Sequence, residues 1–131
     1  MRYALDLPNM GPFADPRLLV DLAREAERAG WDGFFLWDHL GGRRPNLPPG
    51  GPCVALAAVA LGTERIRLGT MVTPLPRRRP WKLARETVSL DRLSGGRLIL
   101  GVGAGSGRPT EWDSVGEETD IKRRGAMLDE G

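Results

Sequence analysis

With one cysteine and one histidine in 131 residues, the chain is short of the side chains that several common chemistries need. Cys53 has no second thiol with which to close an internal disulfide or to share a zinc site. No stretch reaches the ~18 uninterrupted apolar residues of a membrane-spanning helix. Met1 to Leu7 carries neither a basic leader nor the apolar run of a secretory signal. Membrane classes are therefore set aside, and a cytoplasmic location is expected. A net charge of only +2 gives no strong pull toward nucleic acid.

What is present is the composition of a globular protein, 40% hydrophobic and 27% charged, enough to bury a core without invoking disorder. Tyr3 to Leu7 reads as a short strand closed by Pro8-Asn9. Asp15 caps a helix with Pro16 at its first position, an apolar stripe of Leu18, Leu19, Leu22, Ala26 and Ala29, and a stop at Gly30. Gly33 to Trp37 is a continuous apolar run, which suits a strand covered on both faces. After the aperiodic GGRRPNLPPGGP from Gly41 to Pro52, Val54 to Leu61 reads as an Ala-rich helix and Ile66 to Thr70 as a third strand. Pro80 opens a third helix that turns Leu83, Ala84, Thr87, Val88 and Leu90 to the sheet and ends at Gly95-Gly96. Arg97 to Val102 is a fourth strand, and Ile121 to Gly131 opens a fourth helix. Strict alternation with short connections predicts parallel strands joined by helical crossovers. Flexible loops are expected near 8–14, 41–52 and 104–120.

Ligands of parallel α/β folds bind at the C-terminal ends of the strands, so the chemistry is sought there. Those ends read Pro8-Asn9, Trp37-Asp38-His39-Leu40, Thr70-Met71-Val72-Thr73 and Gly101-Val102-Gly103-Ala104-Gly105. His39 can exchange a proton or donate to a bound ring, or it can simply cap a loop. Asp38 has the same two readings, a cap or a carboxylate near a ligand hydroxyl. Glycines 101, 103 and 105 would let a flat ligand or phosphate approach the backbone, or would only form a tight turn. They do not make a dinucleotide fingerprint, because Ser106 and Arg108 stand where a third glycine would fall. Arg77-Arg78-Arg79 reads as a solvated loop, although three cations at a helix N-terminus oppose the macrodipole and hint at an anionic partner. Contact with nucleic acid through this cluster is the less favoured reading.

The runs AREAERAGWDGFFLWDHL and RIRLGTMVTPLPRRRPWKLARETVSLDRLSGGRLILGVGAG, together with GEETDIKRRGAMLDEG, closely resemble the bacterial luciferase-like flavin-dependent oxidoreductases. The resemblance implies a (β/α)8 TIM barrel that binds FMN or the deazaflavin F420 at its C-terminal rim. It implies hydride transfer, or oxygen activation in monooxygenases of the FMN branch, on a small-molecule substrate, and a homodimer at full length. A barrel typically needs ~250 residues, so the chain corresponds to the N-terminal half: about four β-α units, ending at the start of the fourth helix. By this resemblance Asp38 and His39 match a pair that contacts cofactor and substrate in the F420 branch, with His39 as the catalytic acid/base. Met71 and Val72 match a bulge with a cis peptide behind the ring, Thr73 a cofactor-contacting threonine, and Ala104-Gly105 a backbone segment beside the cofactor; no metal is implied. The chain departs from the pattern at Ser106, where sugar-phosphate dehydrogenases of the F420 branch carry a catalytic carboxylate. It departs again at Gly51-Pro52-Cys53, where close relatives tend to have Asp-Pro-Trp.

A competing expectation is a non-catalytic half-barrel, a binding or scaffold module that pairs with another chain. On either reading an open four-stranded sheet has two unpaired edges, and the chain alone is expected to be marginally stable, self-associating and weak in holding a flavin.

Overall fold

The computed structural model describes residues 1–41, 47–108 and 111–131. Strands and helices alternate as predicted: β1 (Ala4–Leu7), α1 (Pro16–Arg28), β2 (Gly33–Leu36), α2 (Pro52–Gly62), β3 (Arg67–Pro74), α3 (Pro80–Ser94), β4 (Leu98–Gly103) and α4 (Ile121–Glu130). The strands pair in parallel in the order β1-β2-β3-β4. A sheet that never reverses its order is the wall of a (β/α)8 barrel, whereas a doubly wound sheet changes direction at a switch point.

Local chemistry explains the helix limits. The Asp15 carboxylate accepts from the Arg17 N–H at 2.9 Å, with Pro16 at the first helical position, and Gly30 leaves the helix at φ +84°. Asp120 caps α4 in the same way, accepting from the N–H groups of Lys122 and Arg123. The helix α1 buries Leu19, Ala23 and Ala26, while Leu18 and Ala29 of the predicted stripe are exposed. In α3 the buried face is Leu83, Leu90 and Ser94, and Ala84 and Val88 point outward. Both corrections shift a periodic stripe by about one position, because burial follows the i, i+4, i+7 and i, i+7, i+11 rows that meet the sheet.

The core lies between sheet and helices: Phe34, Leu36 and Leu68 from the strands meet Leu19, Ala23, Leu56, Val59 and Leu90. On the opposite face of the sheet Phe35 stretches across the neighbouring strand. A Cβ on Gly69 would stand 3.2 Å from its ring and 1.8 Å from the Ile99 carbonyl oxygen, so only glycine fits there. The helix α2 is apolar on every side. It buries Ala55, Leu56, Val59 and Ala60 and leaves Val54 and Leu61 71% and 73% exposed.

The strand β3 runs four residues beyond the predicted end at Thr70. Its pairing with β4 jumps from Thr70↔Leu100 to Thr73↔Val102, so one extra residue is accommodated in a bulge and the ladder resumes through Pro74↔Gly103. Segment 8–14 contains a short 3-10 turn at Gly11–Ala14 and a bridge from Met10 to Pro49, and segment 104–120 contains another such turn at Asp113–Val115. Of the expected loops near 41–52 and 104–120, positions 42–46 and 109–110 lie outside the described residues.

At the far end of the sheet from the strand C-termini, Glu27 fastens α1 to the segment that enters β3. Its carboxylate accepts the N–H groups of Arg65 at 2.6 Å, Ile66 at 2.7 Å and Glu64 at 3.1 Å. Burial pushes this carboxyl up, but the three backbone donors outweigh it and hold it below the usual value. A carboxyl depressed in the folded state adds stability that is complete above its unfolded pKa and disappears as pH falls through the folded one. We expect Glu27→Ala to cost about 2 kcal/mol near neutral pH, with the difference from wild type narrowing as the solution is acidified below the usual carboxylate range. Urea titrations at several pH values check this; a pH-independent difference would contradict it.

Candidate active site

The four strand ends converge on one rim. Past β2, the Trp37 N–H continues the ladder to the Leu7 carbonyl at 2.9 Å and brings Asp38 and His39 above the sheet. Asn9, buried at the end of β1, clamps the next residue. Its Oδ1 accepts the His39 N–H at 3.1 Å, while its Nδ2 donates to the His39 carbonyl at 2.9 Å and to the Gly50 carbonyl at 2.8 Å. With the backbone of His39 held on both sides, its ring is free to take another partner. Nδ1 meets the Oε1 atom of Glu111, and the ring of Trp37 stands edge-on at 5.4 Å.

Sequence reading did not single out Glu111, and it is 1% exposed. Its Oε2 accepts from the Ser106 hydroxyl at 3.0 Å and from an Arg77 nitrogen at 3.4 Å. Arg77 also donates to the Asp38 carbonyl at 2.5 Å, and the Asp38 carboxylate pairs with Arg78. The first two arginines of the cluster are therefore turned inward, and the expectation of a solvated loop is corrected: the Arg77 side chain is only 4% exposed. Their anionic partners are internal, Glu111 and Asp38. Burial pulls the Arg77 guanidinium below its ordinary pKa against the opposing pull of Asp38 and Glu111. For Arg78, burial acts in the same sense, but its bond to Asp38 prevails and the pKa rises.

Above this layer lies a cleft of about 340 Å³ lined by Asp38, His39, the bulge residues Met71 and Val72, Pro74, the Gly103-Ala104-Gly105 backbone, Ser106 and Glu111. The Met71–Val72 peptide is cis, as the resemblance implied, and Met71 is 52% exposed. Six of the seven residues singled out at sequence level thus share one cleft: Asp38, His39, Met71, Val72, Ala104 and Gly105. Thr73 lies beneath it, buried, with its hydroxyl bonded to that of Thr70 at 2.8 Å.

Trp112 anchors the loop that carries Glu111. Its Nε1 donates to the Ser106 carbonyl at 2.8 Å, and its ring meets the guanidinium carbons of Arg77 at 4.9 Å and of Arg124 at 4.0 Å. Arg124, buried on α4, donates to the same carbonyl at 2.7 Å. Cys53 is half-buried, and burial pushes its thiol up, away from the thiolate needed for nucleophilic chemistry. Among the described residues no cluster of three or more His, Cys, Asp or Glu side chains is placed to hold a metal ion. No helix among them is long and apolar enough to cross a membrane.

Comparison with known proteins shows the family and the fold. The family described as luciferase-like monooxygenase matches residues 4–131. The chain is 36% identical over 108 residues to 4-hydroxyprotoasukamycin monooxygenase of Streptomyces nodosus subsp. asukaensis, covering 82% of this chain and 28% of that one. It is 37% identical over 122 residues to an F420-dependent glucose-6-phosphate dehydrogenase of Amycolatopsis mediterranei, covering 88% of this chain and 35% of the relative. Among solved structures, the oxygenating constituent of 3,6-diketocamphane monooxygenase from Pseudomonas putida, in complex with FMN, superposes with a TM-score of 0.83 at 26% identity. That match covers 99% of this chain and 37% of the other, so the chain spans about a third of the length of the relatives it matches.

The packing of the Glu111 loop can be probed at Gly105. Its φ is +80°, and a Cβ there would stand 2.3 Å from Cζ2 of Trp112. We expect Gly105→Ala to displace the indole, lower stability by about 2 kcal/mol and move the emission of this buried tryptophan to longer wavelength. Unchanged emission and melting temperature would show that the loop packs otherwise.

Proposed function

Since the chain belongs to the luciferase-like monooxygenase family, we propose that it contributes the first four β-α units of an oxidoreductase barrel that binds FMN or coenzyme F420 and acts on a small organic substrate. The observation that carries this reading is the meeting of the His39 imidazole and the Met71–Val72 bulge in one cleft. A cleft of about 340 Å³ lies within the size range of small-molecule sites. Its wall of Met71, Val72 and Pro74 is apolar, while His39 and Ser106 supply polar groups. Those surfaces suit a flat ring system with apolar faces and a hydrogen-bonding rim. The relatives support both cofactors, one having been solved with FMN and another being named for F420.

In this reading a bound cofactor supplies hydride transfer or, for FMN, oxygen chemistry, and the chain's own residues supply placement and protons. Met71 and Val72 back the ring. The Ala104-Gly105 backbone passes along its edge, and the absence of a Gly105 side chain lets this segment pack against Trp112. Thr73 acts from below through its bond to Thr70, which ties the two ends of the bulge together. Asp38, held by Arg78, fixes the start of the segment that carries His39. His39 gives a proton to, or takes one from, the substrate oxygen, the step for which an imidazole suits neutral pH. The full-length protein is further proposed to be a homodimer. This rests on the apolar groove between α2 and α3, lined by Val54, Ala57, Trp81, Leu90 and Leu93, with Trp81 65% exposed.

The test is to express the full-length protein in a host that makes both cofactors, record the absorption spectrum of what copurifies, and measure its size by sedimentation. We expect a bound flavin or deazaflavin, a dimer, and a His39→Ala variant that keeps its cofactor but loses about two to four orders of magnitude in kcat. A protein that binds neither cofactor, or an unchanged kcat in the variant, would contradict the proposal.

A further inference from the structure

We infer that Glu111 is a positioning residue for His39: its buried carboxylate accepts the proton on Nδ1 and so leaves the lone pair of Nε2 for the cleft. The inference rests on the proposed role of His39 for its catalytic meaning, although the contact itself requires no cofactor. The two oxygens of Glu111 divide their partners. Oε2 is taken by Ser106 at 3.0 Å and Arg77 at 3.4 Å, both donors, which leaves Oε1 for the imidazole. A carboxylate beside a guanidinium offers acceptors only, so a neutral His39 must bring its N–H to this contact. Imidazole in water favours the opposite tautomer, with the proton on Nε2. The contact therefore selects a state that the free side chain does not prefer.

Among the described residues, several neighbours of the pair favour this arrangement. Asn9 fixes the His39 backbone on both its N–H and its carbonyl, and Trp37 limits rotation of the ring. Arg77 is stacked on Trp112, and one of its nitrogens donates both to the Glu111 backbone carbonyl and to its carboxylate, so Glu111 is held at backbone and side chain together. Nothing among the described residues bonds Nε2. With Nδ1 turned to Glu111, the other nitrogen takes a proton from a substrate hydroxyl during oxidation, or returns one during reduction, and Glu111 stabilises the imidazolium that forms between. The carboxylate is 1% exposed and both of its oxygens are already bonded within the protein, so its action passes through His39.

His39 is the one histidine in the chain, so the tautomer can be read without assignment. In the untagged, cofactor-free protein, at a pH where the ring is neutral, long-range proton–nitrogen NMR is expected to show Nδ1 as the protonated nitrogen and Nε2 as the unprotonated one. In Glu111→Ala the proton should move to Nε2. In the cofactor-loaded enzyme Glu111→Ala should lower kcat about a hundredfold, but change it less than about twofold when His39 is already alanine. A wild-type spectrum with the proton on Nε2 overturns the inference even if the variant fails to fold, and so does a full, additive loss in the double variant. Should the protein bind neither flavin nor deazaflavin, the NMR result still stands and it is the proposed function that fails.

Discussion

Two buried carboxylates, Asp38 and Glu111, and the two arginines that face them determine how the rim is built. Removing a charge from water costs several kcal/mol unless a partner of opposite sign and good geometry replaces the lost hydration. Arg77 meets that demand for Glu111 and at the same time bonds the Asp38 carbonyl, while Arg78 meets it for the Asp38 carboxylate. The arginines belong to the β3–α3 connection, Asp38 to the end of β2, and Glu111 to the connection after β4. Three loops are thereby joined to one another. Buried ion pairs add little net stability as a rule. Their contribution here is geometric, since the four charged groups join three separate segments at fixed points.

That lock gives the sheet a site it would otherwise lack. The strands present a frame of small and apolar residues: Gly69 lets Phe35 lie across its neighbour, and the bulge after Thr70 raises Met71 while Thr73 resumes the ladder. The frame alone offers a shallow apolar cleft. The backbone of His39 is clamped by Asn9 and its ring is met by Glu111, so its orientation depends on segments that follow β1, β2 and β4 together.

Much of this architecture was legible in the sequence, because helix stops, caps and apolar runs are local signals. Asp15-Pro16, Pro80 and Gly95 each determine the conformation of their own few residues, and the helix limits followed. The apolar faces were less legible, since Leu18 and Val88 are as hydrophobic as the neighbours that are buried; only the sheet decides which row is covered. The bulge was visible through the family resemblance, but the continuation of β3 to Pro74 was not, since the ladder is interrupted after Thr70 and resumes only at Thr73. Glu111 had no local signature at all. It lies 72 residues from His39, in a stretch without periodicity, and its partner is chosen by the fold. The arginine cluster did carry a signal, three cations set against a helix N-terminus, and the structure supplies the internal carboxylates that resolve it for Arg77 and Arg78.

The cleft above this charge lock is the proposed place where the cofactor reacts. A crystal structure of the full-length protein with its oxidised cofactor and a substrate analogue tests it most directly. The ring is expected against the Met71–Val72 bulge and His39 Nε2 at about 3 Å from the analogue's oxygen, with Nδ1 still on Glu111. A ring bound away from the bulge, or an imidazole turned from the ligand, would contradict it.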